Sequence, residues 1–198
     1  MKNNVDPLGW RTLDACGDGV EPVNAFALVT YIPAPLGRFL DDLRLELVPT
    51  FLPRAHATIL PPRPLAVDPR VAWQHVYTGI KDFPPFEIVA GEVEMFKSTS
   101  VVYITIGAGR RVLLQMHDQL NAGPVGCKEP FEYRPHITVA QDLTPERAAA
   151  AYELARRRWA EYTGQRWFAV DRVVFVQNTN RKRWLDLAEA RLGVPSAR

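Results

Sequence analysis

One six-residue pattern occurs twice in this chain, and it limits the possible folds more than any other feature. Arg54-Ala55-His56-Ala57-Thr58-Ile59 returns as Arg134-Pro135-His136-Ile137-Thr138-Val139. The chain has 4 histidines, so half of its imidazoles stand in the frame histidine, any residue, threonine, aliphatic. In an extended chain, alternate side chains share a face. Each copy therefore predicts a strand that presents a fixed positive charge, a titratable imidazole and a hydroxyl on one side.

The flanking sequence repeats with the motif. Residues 23–32 are rich in β-formers and end at Pro33, as a buried strand would. Over 35–48, Leu36, Phe39, Leu40, Leu43 and Leu47 recur at helical spacing until Pro49. The first motif strand covers 54–60, stopped by Pro61-Pro62. Asp68 and Pro69 then offer a cap and first turn for a helix over 71–80, and 86–96 reads as a long strand with a bulge at Gly91. After a polar turn at 97–100 the order restarts: strand 101–106, helix 109–120, second motif strand 133–141, a helix capped by Thr144-Pro145 and running to Gly164, and strand 166–177. Residues 184–192 read as a last strand, paired with its predecessor across a short turn.

This repetition is architectural. It predicts an α+β fold of two pseudo-symmetric βαβαβ-type lobes, 23–97 and 98–192, whose antiparallel sheets form a central groove with one motif strand each. Residues 1–22 carry no period and read as an arm.

With inward-facing motif strands, the two histidines would oppose each other across the groove. Imidazoles with an ordinary pKa of about 6.5 can divide acid and base work at neutral pH. Displacement at phosphorus needs that division, because the nucleophile loses a proton while the leaving oxygen gains one. Thr58 and Thr138 would donate to non-bridging phosphate oxygens. Arg54 and Arg134 read either as phosphate or ribose contacts or as solvent-facing residues at the strand mouths. Tyr103, Thr30 and Thr105 either border the groove, where a base could stack on the aromatic ring, or pack in the core. His75 and His117 lack a partner motif and read as surface or core residues.

Other chemistries lack their signatures. There is no HExxH, His-x-His or carboxylate cluster beside the motifs to hold a metal, no Gly-x-Ser-x-Gly and no phosphate-binding glycine loop. No metal and no cofactor is expected. Cys16 and Cys127 are far apart and outside any CxxC pair, which reads as two free thiols. A formal charge of +2 neither demands nor excludes a nucleic-acid partner, and the runs Arg156-Arg157-Arg158 and Arg181-Lys182-Arg183 read as solvated faces. The first residues lack the apolar core of a secretion signal, and no apolar run nears membrane-spanning length. The expectation is a cytoplasmic monomer without a membrane partner.

The paired His-x-Thr-aliphatic motifs within repeated α/β lobes resemble the two-histidine (2H) phosphoesterase superfamily, especially its bacterial RNA 2',3'-cyclic phosphodiesterase and 2'-5' RNA ligase-like branch. The resemblance covers residues 23–192. It implies metal-independent chemistry on a 2',3'-cyclic phosphate or 2'-5' phosphodiester, at RNA termini or on small nucleotides, with ligation as the related step in reverse. His56 and His136 would be general base and general acid, in an order symmetry does not assign, and Thr58 and Thr138 would hold the phosphate. Two other readings stand beside it: a nucleotide or RNA-end binding module without turnover, and the same chemistry on a cyclic nucleotide signal or an ADP-ribose cyclic phosphate.

Overall fold

A computed structural model describes residues 6–11, 19–50 and 54–193. The elements run β1 (Pro22–Tyr31), α1 (Leu36–Leu47), β2 (His56–Arg63), α2 (Pro69–Gly79), β3 (Phe86–Met95), β4 (Val102–Ile106), α3 (Arg110–Leu120), β5 (His136–Ala140), α4 (Pro145–Glu161), β6 (Trp167–Val170), β7 (Arg172–Thr179) and β8 (Trp184–Arg191). The anticipated caps form: the Asp68 carboxylate accepts from the Arg70 N–H, and the Thr144 hydroxyl accepts from the Arg147 N–H. Cys16 lies outside the described residues.

The strands build two antiparallel four-stranded sheets, ordered β2-β1-β7-β8 and β5-β4-β3-β6. Each sheet contains one motif strand, and in each that strand is at the edge. The sheets do not follow contiguous halves of the chain. β3, expected to close the first lobe, belongs to the second sheet, while β7 and β8 return to the first. The short turn between β3 and β4, closed by Phe96 N–H to the Val101 carbonyl at 3.0 Å, can join only adjacent antiparallel strands. It therefore draws β3 into the sheet of β4, and the turn between β7 and β8 keeps those two together in the same way.

The single strand expected over 166–177 is two strands serving different sheets. Along β6, exposed and buried residues alternate, as suits a sheet with one open face. In β7, by contrast, Val173, Val174, Phe175 and Val176 are all buried, as in a central strand covered on both sides. The chain changes sheets at Asp171, between them. In β3 the register slips between Ala90 and Val93, so the bulge falls at Gly91. A Cβ there would strike the Thr105 hydroxyl oxygen.

Behind both sheets lies one continuous core. Leu36, Leu40, Leu43 and Leu47 of α1, Trp73 and Val76 of α2, Leu113 and Met116 of α3, and Ala155 and Trp159 of α4 meet Leu28, Ile59, Ile88, Ile104 and Ile137 from the strands. The helices cross between lobes: α1 packs on β5 and α3 packs on β2. Each motif strand is therefore backed by a helix that follows the other sheet's strand in the chain. Residues 6–11 close the far edge of the first sheet, with Trp10 bridging Ala188 and the Arg11 N–H donating to the Leu187 carbonyl at 2.7 Å. No helix among the described residues is long and apolar enough to cross a membrane.

Candidate active site

The burial of the two motifs is the same position by position. In both 54–60 and 134–140 the arginine is exposed, the next residue buried, the histidine half-buried, the next buried, the threonine half-buried and the last two buried. Ala57 and Ile59 in β2, like Ile137 and Val139 in β5, face the core, so the histidines and threonines share the opposite face. β2 and β5 lie against each other at the junction of the two sheets. The structure thus brings His56, Thr58, His136 and Thr138 to one junction.

Each imidazole is fixed by the residue two positions earlier. His56 Nδ1 lies 2.8 Å from the Arg54 carbonyl oxygen, and His136 Nδ1 lies 2.6 Å from that of Arg134. A carbonyl oxygen only accepts, so both Nδ1 atoms carry hydrogen and both neutral rings leave Nε2 as the basic nitrogen. The motif arginines therefore act on the histidines first through their backbone. β2 and β5 begin at the histidine, so each arginine stands just before its strand, yet the Arg54 side chain stays on the histidine's side, over the β1 residue paired with His56. Arg54 has φ of 142°, and its N–H donates to the Asp41 carboxylate on α1 at 2.7 Å.

Both arginine side chains are exposed, and each is ion-paired. The Arg54 guanidinium donates to Asp186 at 2.6 Å and lies over the Tyr31 ring, 3.4 Å from its centroid. Tyr31, the β1 residue paired with His56, donates its hydroxyl to the other Asp186 oxygen at 2.6 Å. Arg11 lies 3.9 Å from the same carboxylate. Arg134 pairs with Glu132 at 3.2 Å.

Around His136 the neighbours are aromatic. Phe96 and Tyr103 stack on each other at 4.0 Å, and each meets the imidazole edge-on at 5.2 Å. Tyr103 is paired with Thr138 and donates its hydroxyl to Glu94 at 2.8 Å. Burial first, then Glu94, pushes its pKa up to about 12. Thr105 faces the same side, with its hydroxyl oxygen accepting from the Glu92 N–H. Thr30, by contrast, pairs with Ala57 and is 2% exposed, a core residue.

Burial lowers the pKa of both histidines. For His56 the shift is to about 4: burial leads, the buried Arg44 charge on α1 adds to it, and the Arg54 carbonyl opposes it. A proton on His136 lowers it further, so the two rings are electrostatically coupled. For His136 burial lowers the value and the Arg134 carbonyl opposes it.

The family model of the 2'-5' RNA ligase superfamily matches residues 32–182. The chain belongs to that superfamily. Solved structures agree on the fold. E. coli LigT in its apo form is 17% identical with a TM-score of 0.61, covering 86% of this chain and 98% of its own. LigT complexed with phosphate is 16% identical with a TM-score of 0.59, covering 88% and 99%. Kluyveromyces marxianus Usb1 is 11% identical with a TM-score of 0.51, covering 83% and 98%. No curated protein matches the chain in sequence.

Several residues of this superfamily member's candidate site carry no local signal in the sequence. Tyr31 of β1 and Phe96 in the turn after β3 touch the histidines, Arg44 of α1 acts on His56 through its charge, and Asp186 of β8 reaches it only through Tyr31 and Arg54. Tyr31 alone was within reach of pattern reading, since it lies one residue from Thr30 in the same strand, on the opposite face. His75 borders Gly123, away from the motifs. His117 lies in a buried network, with Nε2 3.0 Å from Glu129, which also pairs with the buried Arg63 guanidinium.

Proposed function

We propose that the chain is a metal-independent phosphodiesterase acting on 2',3'-cyclic phosphates, at RNA ends or on small nucleotides. The observation that carries this reading is the shared tautomer: two imidazoles on abutting edge strands, each with Nδ1–H on an arginine carbonyl and Nε2 left for chemistry. Membership of the 2'-5' RNA ligase superfamily supports phosphoester chemistry at RNA ends in general.

In this reading His56, kept neutral beside Arg44, is the base. Its Nε2 takes a proton from water as the water oxygen bonds to phosphorus. His136, protonated once the anionic phosphate lies beside it, gives its proton to the departing ribose oxygen as that P–O bond breaks. The product is a ribose phosphomonoester, and the two histidines end with exchanged protonation. Thr58 and Thr138 donate to the non-bridging oxygens, where charge accumulates. No described residue occupies either threonine hydroxyl.

Incubation with 2',3'-cyclic mononucleotides in EDTA tests the reading, with products resolved by phosphorus NMR. One phosphomonoester isomer is expected. Binding without product would instead identify a recognition module, and turnover lost to EDTA would contradict the two-histidine chemistry.

A further inference from the structure

Resting on that nucleotide reading, we infer that the second sheet holds the nucleobase, stacked on Phe96. The two flanks of the histidines differ in what they leave open. On the first sheet, the ring nearest His56 is already covered, because the Arg54 guanidinium lies over Tyr31 and is itself held by Asp186. On the second sheet, Phe96 covers Tyr103, which is only 8% exposed, while Phe96 itself is half-buried beside His136. Phe96 therefore offers partly open aromatic surface in direct contact with His136. It sits in the turn after β3, held by backbone bonds to Val101 and Ser100, so the ring is placed before a ligand arrives.

The charge on this face selects among flat ligands. Glu87, Glu92 and Glu94 of β3 are exposed, and Val89 and Trp167, paired across β3 and β6, continue the same surface. A phosphate chain would be repelled by three carboxylates. A neutral ring bearing N–H or amino groups would not, and Glu94, with one oxygen bound to Tyr103, keeps the other as an acceptor. A nucleobase combines that flat face with donor groups, and stacking tolerates any base because every base has a π-face.

Calorimetric titration with a nucleoside 3'-monophosphate and with a ribose phosphate lacking a base tests this without requiring turnover. Phe96→Ala should weaken the nucleotide about tenfold, within the range found for base stacking on aromatic side chains, while leaving the ribose phosphate unchanged. Phe96→Trp should restore the nucleotide's affinity. Phe96→Leu, which keeps apolar bulk without a ring, should behave as the alanine variant and decides the matter if alanine unfolds the protein. Equal weakening of both ligands, or of neither, overturns the subsite. Base-dependent binding without hydrolysis of cyclic phosphates upholds the subsite and defeats the hydrolase reading; hydrolysis with base-independent binding does the reverse.

Discussion

The Tyr133 hydroxyl donates to the Thr58 carbonyl oxygen at 2.6 Å, tying the segment before the second motif to the strand of the first. β2 is an edge strand, so this bond also satisfies an acceptor that the sheet leaves unpaired. Tyr133 stacks on His117 at 4.0 Å, His117 meets Glu129, and Glu129 holds Arg63 at the other end of β2. One segment thus clamps the first motif strand at two points. Tyr133→Phe should cost about 1 kcal/mol, the net worth of one such bond. Glu129→Gln leaves the Arg63 charge buried with poorer compensation and should cost more, about 3 kcal/mol. Urea unfolding of both variants measures the two losses, and the reverse ranking would contradict the clamp.

Acid should weaken the protein through its histidines. Because folding lowers both pKa values, the unfolded chain holds more protons on these rings than the folded one does. The stability they contribute is complete above the ordinary value of 6.5 and falls as pH drops from there toward about 4, where His56 titrates in the folded state. Denaturant midpoints should decline over that window, and His56→Gln should flatten the decline.

The same shifts govern the rate. The profile of kcat/KM should be bell-shaped with its maximum on the acid side of neutrality, since one ring must be protonated and the other not. Replacing the buried cation, as in Arg44→Met, removes one cause of the low His56 pKa and should move the acid limb to higher pH. A profile flat from acid to alkaline pH would contradict shared acid and base roles.

Asp186 joins Tyr31, Arg54 and Arg11 beside His56, with a side chain only 10% exposed. Asp186→Ala deprives the Tyr31 hydroxyl of its acceptor and releases Arg54 from its place over the ring. Stability should fall by about 1–3 kcal/mol, the range for a polar group left without a partner, and kcat/KM should drop with it. Tyr31→Phe, which removes one bond and leaves the ion pair, should be milder in both measurements.

Much of the fold was legible because its signals are local. Prolines at 33 and 49 follow the ends of β1 and α1, the caps at Asp68 and Thr144 form, and the apolar periods of α1 and α3 identify their buried faces. Pro61-Pro62, expected to stop the first motif strand, instead lie within β2, which continues to Arg63, because an edge strand tolerates residues without an N–H to donate. Sheet membership was not carried by the order of elements, which suggested contiguous lobes; it depended on turns too short to join anything but neighbours. The same limit explains the site. The alternation rule places His56 with Thr58 and His136 with Thr138, while the arginines stand just ahead of the strands, where their carbonyls rather than their side chains fix the imidazoles. Tyr31 rather than Thr30 faces His56 because of cross-strand register, which one strand's sequence does not record. Asp186 and Phe96 arrive through tertiary folding alone.

The central claim is that two imidazoles act on one phosphorus atom, and a four-enzyme comparison on a single 2',3'-cyclic nucleotide in EDTA tests it most directly. His56→Ala and His136→Ala should each lower kcat by about 10²–10⁴-fold, the usual contribution of a positioned acid or base. The double variant should be scarcely worse than either single one, because residues that act as a unit lose their effect together. Independent, additive losses, or a single variant with nearly the parental rate, would contradict it.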